Sequence, residues 1–380
     1  MKKYIIWHDN DFDLALWVRD NSILRLKSVE YRCIPKTNSV QQIMHSFSDD
    51  ITRAVLPFIR LETPDLIIEE INTDTYDTKV VCVAELMTHT PQWQHPAQRF
   101  SRIYNAVRLG APSALFVPAR KTKWEKGTQT SYRPTSYTCS PSVYRLFCLT
   151  SQQTNIPTLL FNWPDTDGYL RYDPKHPTSP HVSGDTRNFL SFLNTCISQS
   201  GNVTLNDTKD ILELMNSKSC IADISQFSTI RGIVNTNEII EQLKLDKTSL
   251  PESFLSTQET VWFAPSGLVD SNSAIRTDPY GGMLCAFDIL FARDEYGNKI
   301  RNIVFDATEV DINSIDFKVL GHEYDNCPFD KGSDFSFNHL EHCPYTQPKY
   351  RRIYGEIADI VLFNNKYYQK DGETLYEYVN

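Results

Sequence analysis

Four short runs, DLIIEEI (65–71), VVCVAEL (80–86), SALFVPA (113–119) and IPTLLFNWP (156–164), each contain an unbroken stretch of at least three apolar residues. A half-exposed strand alternates apolar and polar residues, whereas a strand covered on both faces reads as a continuous apolar run. These four are therefore read as strands, buried where the apolar run is continuous. The intervening segments agree. HPAQRFSRIYNAVRLG (95–110) has Pro96 near its start and Gly110 as its stop, the usual asymmetry of a helix. At about 100° per residue, Phe100, Ile103, Tyr104 and Val107 fall on one side of it, and His95, Gln98, Arg99 and Arg102 on the other. SVQQIMHSFSDDITRAVLPFIRL (39–61) has helical spacing too, ending before Pro64. The order helix, strand, strand, helix, strand, strand predicts an α/β core over about 39–165.

Residues 165–185 are rich in Pro, Gly and Asp and are expected to form an excursion or lid-like loop. SQSGNVTLNDT suggests a boundary near residue 200, giving an α/β domain over 1–200 and an α+β domain over 201–380. The second half is expected to hold short helices at DILELMN and NEIIEQLKL. A hairpin is expected over CAFDILFARDEYGNKIRNIVFDA, turning at Gly297, then a strand IADIVLF and a final hairpin KYYQKDGETLYEYV.

The strand VVCVAEL ends on Glu85, and DLIIEEI begins on Asp65. Two acids at the ends of adjacent strands offer oxygen ligands to a hard divalent cation such as Mg²⁺, which retains waters for chemistry. Such an ion can activate a water and offset charge on a phosphodiester. Pro64-Asp65, a spacing of twenty, and Glu85-Leu86-Met87 on a strand followed by a polar-faced helix resembles the PD-(D/E)XK nuclease superfamily, that of many restriction endonucleases. The resemblance covers about a third of the chain. It implies a restriction-endonuclease-like mixed sheet flanked by helices, with Asp65 and Glu85 as metal ligands and the Leu86 carbonyl as a further one. The sequence departs from the family at Met87, where a lysine belongs. Gln98, Arg99 and Arg102 are the candidates for replacing it, with Lys79 and Lys121 behind them.

Charge is unevenly distributed. The chain carries a formal −9, yet residues 99–145 hold nine basic residues against the single acid Glu125. Arg120, Lys121, Lys123, Lys126 and Arg133, interleaved with Trp124, Tyr132 and Tyr137, suit a phosphate backbone with occasional stacking. A solvated basic loop is the plainer alternative.

Other constellations compete. Cys327, His339, His342 and Cys343 supply zinc-type ligands, although adjacent Cys343 and His342 strain simultaneous ligation. Asp278, Asp288, Asp306, Glu356 and Asp359 form a rival set of acids in strand context, with Asp288 read as facing solvent from a two-sided strand. No P-loop, dinucleotide loop, GxSxG or HExxH motif is present. Nine cysteines without a CxxC pair point to reduced thiols, mostly buried. No apolar run approaches the roughly 20 residues of a bilayer span, and MKKYIIWHDND lacks the apolar stretch of a signal peptide, so a cytoplasmic protein without membrane partners is expected.

The residues themselves imply a metal-dependent phosphodiesterase, and the resemblance implies a Mg²⁺-dependent endonuclease of type II restriction kind acting on double-stranded DNA, with a homodimer supplying two sites for a double-strand break. Two alternatives stand beside it: a non-catalytic nucleic-acid-binding protein in which Met87 marks lost chemistry, and a degradative defence nuclease cutting DNA or RNA.

Overall fold

The computed structural model describes residues 2–9, 12–34, 54–55, 57–58, 63–87, 92–118, 120–126, 132–163, 185–227, 229–265, 277–308, 357–363, 366–369 and 375–377. The chain divides into two compact units, one comprising Met1–Pro35 and Asp50–Ile221, the other built on Ala222–Asn380. The expected helix over 39–61 and the loop over 165–185 fall largely outside the described residues.

The first unit is an α/β layer structure around a six-stranded mixed sheet. Its strands are β1 (Lys2–His8), β2 (Ser28–Cys33), β3 (Leu66–Asn72), β4 (Thr78–Leu86), β5 (Ser113–Pro118) and β8 (Thr158–Trp163), in spatial order β2-β1-β3-β4-β5-β8. A separate hairpin pairs β6 (Arg120–Lys126) with β7 (Tyr132–Thr138). β3 runs antiparallel to both β1 and β4, while β4, β5 and β8 are parallel to one another. All these strands except β3 therefore end at the same edge of the sheet, where β3 begins.

The helices are α1 (Phe12–Asn21), α2 (Gln94–Arg108), α3 (Pro141–Thr154), α4 (Asp185–Ser198) and α5 (Lys209–Ser217). α2 closes as the sequence predicts: Gly110 adopts φ +80°, its N–H donates to Val107 O, and Ala111 N–H donates to Ala106 O. That is the Schellman arrangement, which needs a left-handed residue at this point and favours glycine there. Pairwise ring contacts assign the layers. Phe100 of α2 meets Phe147 of α3 at 5.5 Å, and Phe189 of α4 meets Phe116 of β5 at 4.3 Å and Trp17 of α1 at 6.4 Å. Phe116 pairs in register with Leu86, one residue beyond Glu85, so α1 and α4 cover one face and α2 and α3 the other. Each fully buried phenylalanine is worth about 1.5–3 kcal/mol of transfer free energy, which favours keeping α2 docked by its aromatic side. Cys82, Cys196 and Cys285 are buried free thiols.

The second unit carries another six-stranded sheet, in order β14-β13-β12-β11-β10-β9. Its elements are β9 (Ile230–Asn235), α6 (Thr236–Gln242), α7 (Glu252–Leu255), β10 (Glu259–Phe263), α8 (Thr277–Phe287), β11 (Asn302–Ala307), β12 (Ile360–Phe363), β13 (Lys366–Gln369) and β14 (Leu375–Glu377). β10, β11 and β12 are parallel, flanked by antiparallel neighbours. Ile239, Ile240, Phe254, Trp262, Val304 and Ile360 pack together on it.

The expected hairpin over 285–307 is corrected. Residues 277–287 are helical and continue as a π-helical turn over Asp288–Ala292, with only β11 as a strand. Met283, Leu284, Cys285, Ala286, Phe287, Ile289 and Phe291 are all buried. A run apolar on every side has no periodicity to separate buried helix from buried strand. The turn survives: Gly297 has φ +85°, and Arg293 bridges to Lys299 across it. Among the described residues, no helix is long and apolar enough to cross a membrane.

Candidate functional site

The edge where β4 ends and β3 begins brings Asp65 and Glu85 together. β3 and β4 pair with Leu66 opposite Ala84, so one step further along the ladder Asp65 stands opposite Glu85. The two residues are then tied reciprocally. Asp65 N–H donates to Glu85 Oε2 at 3.0 Å, and Leu86 N–H donates to Asp65 Oδ2 at 2.7 Å. Each carboxylate thus satisfies a main-chain donor on the neighbouring strand where the regular ladder stops.

Glu85 is fully buried, and its charge is met from α2. Arg99 Nη1 donates to Glu85 Oε1 at 3.0 Å, and Arg102 Nη1 donates to the same oxygen. Three residues apart on a helix lie one above the other, so these two guanidiniums converge on one atom because α2 is seated by its aromatic face. Their side chains are 25% and 13% exposed, so the cluster is shielded without being sealed. A lone buried carboxylate would be costly, and two ion pairs plus a main-chain hydrogen bond offset that cost. Asp65 is treated differently. The residue is half-buried but its carboxyl group is enclosed, and burial first, then the charge of Glu85, push that carboxyl well above the usual range. Arg102, the Leu86 N–H and Arg99 pull the other way and do not restore it.

Of the residues singled out in the sequence, Asp65, Glu85, Arg99 and Arg102 converge. Leu86 contributes its N–H to Asp65. Gln98 is half-buried on α2 and donates to neither carboxylate. Met87 is buried, and its N–H donates to Phe116 O at 2.9 Å, so the position at which the resemblance expects a lysine holds a buried thioether. Lys79 is excluded as its replacement. It lies at the far end of β4, about 20 Å away at some 3.3 Å per residue, and donates to Asn202 Oδ1. The side chains of Arg120, Lys121, Lys123, Lys126 and Arg133 lie outside the described residues, although their backbone forms the β6–β7 hairpin with Lys126 opposite Tyr132 and Lys121 opposite Tyr137. Cys327, His339, His342, Cys343 and Glu356 also lie outside them, as does the side chain of Asp278.

The described rival acids of the second unit, Asp288, Asp306 and Asp359, are engaged in structural contacts. Asp288, 2% exposed, takes Arg293 Nε at 2.7 Å, and Arg293 Nη1 continues to Gly297 O at 2.9 Å. The reading of Asp288 as a solvent-facing strand residue is therefore corrected: it is a buried anion holding the turn after α8. Asp306 takes Trp262 Nε1 at 2.8 Å and the hydroxyl of Thr308 at 2.6 Å, and Asp359 takes Ile303 N–H at 2.8 Å and Lys299 Nζ.

β1 went unrecognised in the sequence, and with it Asp9. Its N–H donates to Asp65 O at 3.1 Å, which ties the main chain just past the end of β1 to that of Asp65. The apolar YIIW ending in HDND was the available signal. Among the described residues, no three His, Cys, Asp or Glu side chains are grouped so as to hold a metal ion. A cleft of about 520 Å³ between α3 and α5, lined by Arg145, Cys148, Lys209 and Glu213, shares no residue with this site.

No known family matches. The chain matches no family model, no curated protein and no solved structure. The case for a function therefore rests on the site itself, an oxygen-only pair of carboxylates backed by two guanidiniums.

Proposed function

We propose that the first unit is a metal-dependent phosphodiesterase with a restriction-endonuclease-like core, acting on double-stranded DNA. The observation that carries this reading is the opposition of Asp65 and Glu85 across β3 and β4, with Arg99 and Arg102 reaching the same point from the helix that follows β4. Two antiparallel strands, a helix and a parallel strand, in the order β3-β4-α2-β5, support the resemblance to the PD-(D/E)XK nucleases.

The donor set fits a hard divalent cation: two carboxylates lie side by side, and the Asp65 carboxyl, pushed above the usual range first by burial and then by the charge of Glu85, would have that repulsion relieved by a cation. Asp65 and Glu85 would hold Mg²⁺, which when bound supplies Lewis-acid stabilisation of the phosphoryl oxygens and lowers the pKa of water. Arg99 and Arg102 would position the scissile phosphate, for which the guanidinium fork is suited. They stand in for the lysine absent at Met87. Cleavage of both strands calls for a second copy of the site, hence a homodimer on this reading.

A second reading has an observation of its own. With Met87 buried and both Glu85 oxygens engaged, the cluster is also what a domain that binds nucleic acid without cutting it would retain. Plasmid incubated with the full chain and Mg²⁺, with and without EDTA, separates the two. Cleavage that is lost with EDTA and with Glu85→Ala supports the nuclease. Cleavage that survives the substitution removes Glu85 from the mechanism, and binding without cleavage favours the second reading. Discrete fragments would point to a type II restriction enzyme, a smear to a degradative defence nuclease, and cutting of RNA alone to a different substrate.

A further inference from the structure

Both oxygens of Glu85 that a cation would use are already hydrogen-bonded, and Oε1 carries two positive charges. Oε2 holds the Asp65 N–H at 3.0 Å, and Oε1 holds Arg99 at 3.0 Å together with Arg102. A divalent cation and two guanidiniums cannot share one carboxylate oxygen, because like charges a few ångströms apart repel strongly in a shielded site. The geometry points to a latch: Arg99 and Arg102 keep a divalent cation off Glu85 until a phosphodiester backbone draws them away, so that metal and nucleic acid bind with positive coupling. This rests on the reading of Asp65 and Glu85 as metal carboxylates.

Three features make the exchange practicable. The Asp65 N–H is main chain and stays, so Glu85 remains aimed at the sheet edge when the arginines leave. Arg99 is 25% exposed, the more accessible of the pair, and is placed to meet an incoming phosphate first. Phosphate offers each guanidinium a bidentate partner, whereas both now share a single oxygen of Glu85. Linkage makes the effect reciprocal: whatever factor the backbone contributes to metal affinity, the metal returns to the affinity for the backbone.

The test measures binding, not cleavage. Free Mn²⁺ is followed by electron paramagnetic resonance during titration of the full chain without nucleic acid, for the native protein, R99Q/R102Q, and R108Q as a control for charge on the same helix. In parallel, the anisotropy of a labelled short DNA duplex is titrated with and without Ca²⁺. The latch predicts that R99Q/R102Q binds Mn²⁺ about tenfold more tightly than the native chain, a typical coupling factor, and that R108Q does not. It also predicts that Ca²⁺ tightens duplex binding by the native chain about tenfold and leaves binding by R99Q/R102Q unchanged. Mn²⁺ affinity that is unchanged in R99Q/R102Q, or raised equally in R108Q, overturns the latch and leaves the metal site standing. Absence of Mn²⁺ binding by both the native chain and R99Q/R102Q, or binding that survives E85Q, overturns the metal site itself. If circular dichroism shows R99Q/R102Q unfolded, R99Q alone serves, with about threefold tighter Mn²⁺ binding expected and unchanged affinity overturning the latch.

Discussion

Asp65 and Glu85 hold each other in place across two strands: the Asp65 N–H donates to Glu85 Oε2, and the Leu86 N–H, adjoining Glu85, donates to Asp65 Oδ2. The arrangement is symmetrical in hydrogen bonds and unsymmetrical in charge, because both arginines go to Glu85. Asp65 is left as the strained member. Substitutions at the two positions are therefore expected to move stability in opposite directions.

Asp65→Asn should stabilise the protein at neutral pH. The folded-state pKa of Asp65 is raised, so the folded chain holds this proton more firmly than the unfolded chain. The stability this confers is fully present below about pH 4, the unfolded value, and is lost as pH rises through the folded pKa. Asparagine keeps an oxygen for the Leu86 N–H and carries no charge to bury. Thermal melts of the two proteins should coincide in acid and separate above it, with the variant ahead by about 1–2 kcal/mol at neutral pH. The variant should at the same time lose cleavage. A variant less stable than the native chain at neutral pH would show that the Asp65 carboxylate is well compensated after all.

Glu85→Ala should do the reverse. It removes the anion between Arg99 and Arg102 and the acceptor of the Asp65 N–H, and breaking a buried pair from one side costs about 3–5 kcal/mol. The partial exposure of the arginines places the expected loss near the lower end, at about 3 kcal/mol. Glu85→Gln restores the acceptor but not the charge, and should lose about 1–2 kcal/mol. Urea unfolding of the three proteins measures both, and equal stability for all three would mean that the ion pairs contribute nothing net.

What the sequence made legible here follows from which signals are local. Apolar runs with a turn between them sufficed to place Asp65 and Glu85 at neighbouring strand ends, and helical spacing put Arg99 and Arg102 on the polar side of α2. Gly110 stopped that helix as its backbone freedom requires. The contribution of β1 was not legible, because its pairing with β3 joins residues 58 to 70 positions apart and nothing in YIIWHD says which strand it meets. The direction in which the arginines point was equally hidden. Spacing separates a polar face from an apolar one, but it does not distinguish a face turned to water from one folded over a carboxylate. The segment 285–292 was misread because burial on all sides erases the periodicity that distinguishes helix from strand.

Asp288→Ala tests whether the second unit holds a rival metal site or an internal anchor. Asp288 is buried against Arg293, which also holds the Gly297 carbonyl. Arg293 is 28% exposed and can recover some hydration, so the loss of the carboxylate should cost about 2–3 kcal/mol, below the figure for a fully enclosed pair. Mn²⁺ binding should be unchanged. Metal affinity that falls with this substitution while stability holds would move the site to the second unit.

Gly201→Ala tests how the sheet that carries Glu85 is held from its other face. After α4 the chain turns through Ser200 and Gly201, both with positive φ, and Gly201 N–H donates to Cys196 O at 2.7 Å. A Cβ at Gly201 would lie 3.1 Å from Val81 Cα and 3.2 Å from Val80 O, against the backbone of β4 itself. Backbone cannot rotate aside as a side chain can, and φ +76° is unfavourable for alanine, so the two effects add to a loss of about 2–3 kcal/mol. Amide hydrogen exchange should localise the damage to β4 and the end of α4, with the protection of Val81 and its neighbours falling first. Gly110→Ala is the comparison: it shares the positive φ, but a Cβ there meets nothing within 4 Å, so it should cost only about 1 kcal/mol of backbone strain. Equal losses at the two glycines would mean that the close approach of Gly201 to β4 carries no weight.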